Sequence, residues 1–209
     1  MLITRYQKVQ TVTRLKGIYS QFTQAIRLSE DDNGDVSGGD LTEANWFDRY
    51  LASYLKVSKS KYKSVGDKDS FVYKQISGKR ETGLAIINNA SFGGSSMYQI
   101  LNGATVITSN KWGSSETNRA MIIDINGVYT KPNQFGKDTF MFVLSNDFGF
   151  FPMGMHSSSE CTVPVEGNPG RDYLKKGCYG YGCNKSGRGM WCAALIITDA
   201  WTISNDYPW

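Results

Sequence analysis

The chain has 209 residues, 40% hydrophobic and 20% charged, a balance that belongs to a folded protein and excludes a disordered one. A net charge of +4 without a long like-charge block gives no reason to expect nucleic acid as a partner. The sequence holds no run of about 20 apolar residues that could cross a bilayer.

Residues 1–30 read as one long helix. Leu2, Tyr6, Val9, Val12, Leu15, Tyr19, Phe22 and Ile26 recur every three or four positions and make a single apolar stripe. At 1.5 Å per residue such a helix is about 40 Å long. The acidic Asn-Gly segment Ser29–Asp35 should end it. A second helix is expected over residues 40–55. Asp40 can cap it and Glu43 completes a capping-box pair, while Leu41, Ala44, Phe47, Tyr50, Leu51 and Tyr54 keep helical spacing. Lys56, Lys59, Lys61, Lys63, Lys68 and Lys74 then mark a polar connection. It reads as a solvated loop, because tracking a phosphate backbone needs a sustained basic face.

From about Phe71 the period changes to two, and residues 71–152 are expected to form an antiparallel sheet. Leu84–Ile87 is a short apolar strand. Met97–Leu101 and Ala104–Thr108 flank Asn102-Gly103, a strong hairpin signal because both turn residues accept positive φ. Ala120–Ile125 and Thr139–Leu144 form a further pair across the loop Asn126–Asp138, and Phe148–Phe151 adds another strand. Residues 155–209 hold all the cysteines. They are loop-like as far as Gly189, after which Trp191–Thr202 favours a short helix containing Cys192. The fold class is therefore α+β: a long N-terminal helix packed on an antiparallel sheet, with a stapled C-terminal region, all in one domain.

The cysteines are Cys161, Cys178, Cys183 and Cys192. An even, clustered set in a Gly-rich segment reads as disulfides formed in an oxidising compartment. Zinc is the weaker alternative, since its ligands usually come in close pairs and only Cys178 and Cys183 are near each other. Of the possible pairings, Cys161–Cys178 with Cys183–Cys192 is preferred because both bridges close short local loops.

Motifs for catalysis are sparse. The only histidine is His156, followed by Ser157, Ser158 and Ser159, but no G-x-S-x-G elbow positions a nucleophile beside it. A secreted hydrolase is the least favoured reading. Two acidic loops carry oxygen donors of the kind calcium uses: Asp31–Asp35, and Asp124 and Asn126 followed by Asp138. Neither follows the calcium-loop pattern, and Asp and Asn also make side-chain turns to their own backbone. No catalytic, cofactor or metal residue is expected, and calcium at Asp124, Asn126 and Asp138 stays open.

The string LITRYQKVQTVTRLKGIYSQFTQAIRLSE at residues 2–30 resembles the stretch after the membrane-spanning half of helix one in type IV pilin-like proteins and pseudopilins. DINGVYTKPNQFGKDTF at residues 124–140 and CAALIITDAWTISNDYPW at residues 192–209 are similar to segments of a bacterial subgroup with a prepilin-type N-terminus. The resemblance implies a pilus or secretion-pseudopilus subunit rather than an enzyme. Its partners would be other pilin or pseudopilin subunits. It would be held in the inner membrane by an apolar half-helix preceding Leu2, then assembled into a filament at the cell surface or in the periplasm. Leu2 to Val12 would stand clear of the folded body, and Leu15 to Leu28 would pack on the sheet. A surface adhesin or minor tip subunit is the alternative, resting on Tyr173, Tyr179, Tyr181, Trp191 and Trp209.

Overall fold

The computed structural model describes residues 2–38, 40–43, 45–58, 72–82, 95–109, 117–156 and 169–209. Helix α1, Leu2–Asn33, runs without a break for 32 residues. Asp31, Asp32 and Asn33, expected in the terminating turn, belong to the helix instead. Gly34 stops it: at φ +79° it takes the left-handed conformation that residues with a Cβ avoid, and its N–H donates to Glu30 O at 2.9 Å. The Asn33 side chain donates to Ser29 O, satisfying another terminal carbonyl.

The second helix is much shorter than expected. Helix α2 is Trp46–Tyr50, followed by turns as far as Lys56. Asp40 does not cap it. Its carboxylate accepts the backbone N–H and the hydroxyl of Thr42 at 2.8 and 2.6 Å, closing a local turn that competes with helix initiation.

The sheet is a six-stranded antiparallel meander in sequential order. Its strands are β1 Val57–Ser58, β2 Ser95–Ile100, β3 Thr105–Ser109, β4 Asn118–Asp124, β5 Thr139–Ser145 and β6 Gly149–His156. The β2–β3 hairpin turns at Asn102-Gly103 as its sequence predicts, with Gly103 at φ +88° and the Asn102 side chain accepting from Ala104 N. Strands β4 and β5 pair from Asn118↔Ser145 to Asp124↔Thr139. Every residue of both is buried, and their centres, Ala120–Ile123 and Phe140–Leu144, are continuous apolar runs where a period of two was expected, because both faces of these strands are covered. The expected strand Leu84–Ile87, the sheet's predicted start at Phe71, Ala44, and Lys59, Lys61, Lys63 and Lys68 lie outside the described residues.

Arg119 is fully buried in β4. Its guanidinium donates to Leu41 O at 2.9 Å and Glu43 O at 2.7 Å and lies 5.0 Å from the Trp46 ring centroid. It fastens the irregular segment before α2 to the middle of the sheet. Burial pulls its pKa down to about 10, and the nearby Asp40 and Glu43 oppose that fall.

The C-terminal region is more structured than a loop. Helix α3, Arg171–Lys176, falls where none was expected, and α4 is Cys192–Thr198. Cys192, Ala193, Ala194, Leu195 and Ile196 of α4 are buried against the core. Arg171 joins α3 to the chain end through Asp199 at 2.7 Å and through Asp206. Buried Glu81 pairs with Arg188, tying residues 72–82 to this region.

Candidate functional site

Helix α1 has two unlike halves. From Leu15 onward it is anchored: Leu15, Ile18, Phe22, Ala25 and Ile26 are buried. Tyr19 and Phe22 stack with Phe142 of β5 and Phe150 of β6, at ring separations between 5.1 and 6.0 Å within the cluster. Toward the N-terminus the same stripe is bare. Ile3, Tyr6 and Val9 are 75%, 67% and 60% exposed, and Val12 is half-buried. Thr11 marks the point of departure, where its hydroxyl donates to Lys137 O at 3.1 Å. Of the stripe residues proposed from the sequence, Leu15, Phe22 and Ile26 are core, Tyr19 and Val12 are intermediate, and Tyr6 and Val9 face outward. The Leu2 side chain lies outside the described set.

The loop from the end of β4 to the start of β5 lies beneath this departure point. The β4–β5 register sets Asp124 opposite Thr139, so Asp138 falls beside Asp124. Asn126 bridges the two carboxylates: its N–H donates to Asp124 Oδ1 at 3.3 Å and its side-chain amide to Asp138 Oδ2 at 3.5 Å. Asp138 also accepts from Asn133 N at 2.9 Å and Gln134 N at 2.6 Å. Gly127, at φ +83°, lets the loop lie close to the neighbouring hairpin, because a Cβ there would stand 2.5 Å from Gly103 O. Asn133 (φ +51°) follows the cis Lys131–Pro132 bond, and its side chain donates to Val128 O at 2.7 Å. Tyr73 reaches this loop from the 72–82 segment through the bridge between Lys74 and Gln134.

Asp124 and Asp138 are 1% and 5% exposed. Burial, reinforced by the charge of Asp138, pushes the Asp124 carboxyl up to about 8. Burial also raises Asp138, against the pull of the Gln134 and Asn133 amides. The buried Tyr73 hydroxyl is raised well above its ordinary range by burial, then by both aspartates. Above the loop a cleft of about 340 Å³ opens between α1 and the chain end, lined by Gln7, Thr11, Arg14, Asn126, Lys137 and Trp209 among others.

Among the described residues, the other sequence candidates sit in structural contacts. His156 lies 4.6 and 4.9 Å from the ring centroids of Phe148 and Phe151, in an aromatic cluster. Ser157, Ser158 and Ser159 lie outside the described residues. Cys183 and Cys192 are joined as expected, and Cys178 is disulfide-bonded; Cys161, its expected partner, lies outside the described residues. In the first acidic loop, Asp35 accepts from Gly38 N at 2.7 Å and Asp32 accepts from the Tyr54 hydroxyl, so both serve local structure. Asn133 and Tyr73 were missed as companions of Asp124. Asn133 stood in the quoted motif as Pro-Asn, and Tyr73 has no local signal.

These elements define an α+β protein with a meander sheet and a long helix that leaves its own core halfway along. A family model described as a family of unknown function (DUF6613) matches residues 1–209, and the chain belongs to that family. No curated protein and no solved structure matches it.

Proposed function

We propose that this chain is a structural, non-enzymatic subunit of a type IV pilus or type II secretion-like pseudopilus, assembled through α1. The observation carrying this reading is the divided helix. A stripe that is core from Leu15 onward continues as exposed Ile3, Tyr6 and Val9. Apolar side chains gain roughly 25 cal/mol per Å² when removed from water, so a continuous bare stripe favours a covering partner. Equivalent helices of neighbouring subunits provide that cover in a helical bundle. In the precursor, an apolar stretch ahead of Leu2 would hold the subunit in the inner membrane. The disulfide suits an exported location. A tip subunit that binds a ligand is the second reading; of the residues it rested on, Tyr179 is 69% exposed, whereas Trp191 is core and Tyr173, Tyr181 and Trp209 are half-buried against it.

The test is microscopy and immunoblotting of sheared surface fractions from cells expressing the full gene. Tyr6→Asp with Val9→Asp should abolish incorporation while the isolated chain stays folded. A normal filament yield from the double variant would refute assembly through this stripe. Absence of the wild-type chain from every filament fraction would refute the filament reading itself.

A further inference from the structure

The β4–β5 loop and Tyr73 beside it hold buried polar atoms that lack partners. Asp124 Oδ2, Asn126 Oδ1 and Asn133 Oδ1 are buried oxygens without a hydrogen-bond partner, and so is the Tyr73 hydroxyl. The Asp124 and Asn133 side chains are 1% and 0% exposed. Buried polar atoms are nearly always partnered, and each one left alone costs about 1–3 kcal/mol. Four in one place is therefore a local feature to be explained.

The chemistry of these atoms is specific. The carboxylate and amide oxygens only accept. Turning the Asn amides around would not help, because Asn133 Nδ2 is engaged by Val128 O and Asn126 Nδ2 faces Asp138. A proton on Asp124 would relieve one charge and supply one donor, and the Tyr73 hydroxyl is another, yet the Tyr73 hydroxyl, Asp124 Oδ2 and both amide oxygens all stand without a hydrogen bond. Neither carboxylate joins an ion pair among the described residues. Lys131, an exposed residue, is the cation whose field lowers Asp124, and with Arg14 and Lys137 it lines the cleft beside Asn126 and Asp138. A bound cation would meet all of these needs together, neutralising the paired carboxylates and engaging the idle lone pairs.

We infer that residues 124–138 form a site for a divalent cation of the calcium class, held by Asp124, Asn126, Asn133 and Asp138. The inference stands apart from the filament reading. An all-oxygen set on an irregular loop suits calcium, which accepts six to eight oxygens in flexible geometry; magnesium requires a tight octahedron. Zinc prefers nitrogen and sulfur, and the loop has no His or Cys. Among the described residues no group of three or more His, Cys, Asp or Glu gathers, so the site has two carboxylates and relies on amide oxygens. That low ligand charge predicts a dissociation constant of about 10⁻⁴–10⁻³ M, the range of extracellular calcium modules.

The experiment is thermal denaturation and titration calorimetry of the whole chain, disulfides intact, after treatment with EDTA. Calcium chloride at 100 times the dissociation constant should raise Tm by about 5–10 °C, with one ion bound per chain. Asp124→Asn keeps the side chain's shape, so it should leave the metal-free Tm unchanged or higher and remove the calcium shift. Should that variant not fold, Asn126→Ala, at a half-buried position, should weaken binding at least about tenfold. The inference is overturned if calcium gives neither heat nor a Tm shift. It is also overturned if magnesium acts equally at the same concentration, or if Asp124→Asn or Asn126→Ala binds calcium as the parent does.

Discussion

Two substitutions on one helix face measure how α1 divides its labour. Phe22 is fully buried, with Phe150 stacked on it at 5.2 Å, and Phe150 also stacks with Phe142 and Tyr19. Phe22→Ala removes a ring from a packed aromatic layer that the backbone of two strands holds open, so little collapse is available. Truncations of this kind cost about 3–5 kcal/mol, and the rigid surroundings favour the middle of that range, about 4 kcal/mol. Tyr6 lies four helical turns away on the same stripe but is 67% exposed, so Tyr6→Ala should cost no more than about 0.5 kcal/mol. Urea denaturation followed by circular dichroism separates the two. With an m-value of about 2 kcal/mol/M, Phe22→Ala lowers the midpoint by about 2 M, while Tyr6→Ala leaves it nearly in place. A Tyr6→Ala loss above about 2 kcal/mol would show that the N-terminal half is part of the fold's core. The claim that its stripe is free for a partner would then fail.

Removing the Cys183–Cys192 bridge as a double Ala variant frees a loop with sequence separation 9, worth about 2.5 kcal/mol by chain entropy, readable as a lower urea midpoint. Acid should loosen the C-terminal region. Hydrogen bonds from Arg171 and Lys175 hold the Asp206 carboxyl well below the usual carboxylate range. A depressed carboxylate stabilises the fold above its unfolded pKa, about 3.9, and that contribution disappears as pH falls below it. Asp206→Asn should therefore flatten the drop in Tm between pH 5 and pH 2; an unchanged slope would show that the ion pairs are not coupled to folding. Calcium should also slow amide hydrogen exchange in residues 8–14 of α1, because Thr11 rests on the carbonyl of Lys137, next to Asp138. Protection confined to the loop itself would break that link.

Much of the fold could be read from local chemistry. The helix stripe and the Asn102-Gly103 turn each follow from side-chain period or backbone φ alone, and β4 and β5 fall where their apolar segments stand, though buried on both faces rather than alternating. The errors arise where a distant partner decides. Leu41 to Tyr54 has helical spacing, yet Asp40 closes a turn on Thr42 and Arg119, 76 positions beyond Glu43, captures the carbonyls of Leu41 and Glu43. A buried arginine in a strand has no signature in period-two patterning. Helix α3 was hidden among glycines and lysines, and Arg171 holds it through residues 28 and 35 positions away. At the loop, Asp124, Asn126 and Asp138 were visible as oxygen donors, but burial turns them from solvated turn-formers into a strained cluster. Burial depends on the β4–β5 register and on Tyr73, brought in from another segment.

The two proposals meet at one structural point. Under the proposed filament reading, a helix that presents half its length to partners needs a firm exit from its own domain, and α1 leaves beside the β4–β5 loop. That loop carries two buried carboxylates: Asp138 uses both of its oxygens to accept backbone N–H groups, whereas Asp124 Oδ2 accepts none. Asp138 organises the loop by accepting from the Asn133 and Gln134 amides, and the residue before it, Lys137, supplies the carbonyl on which Thr11 rests. An ion that neutralises the carboxylates removes their repulsion and so stiffens the shelf under the helix. Retaining charge there is what the two proposals together require: an exported subunit that meets calcium outside the cell and whose helix holds a set direction once its bare stripe is covered.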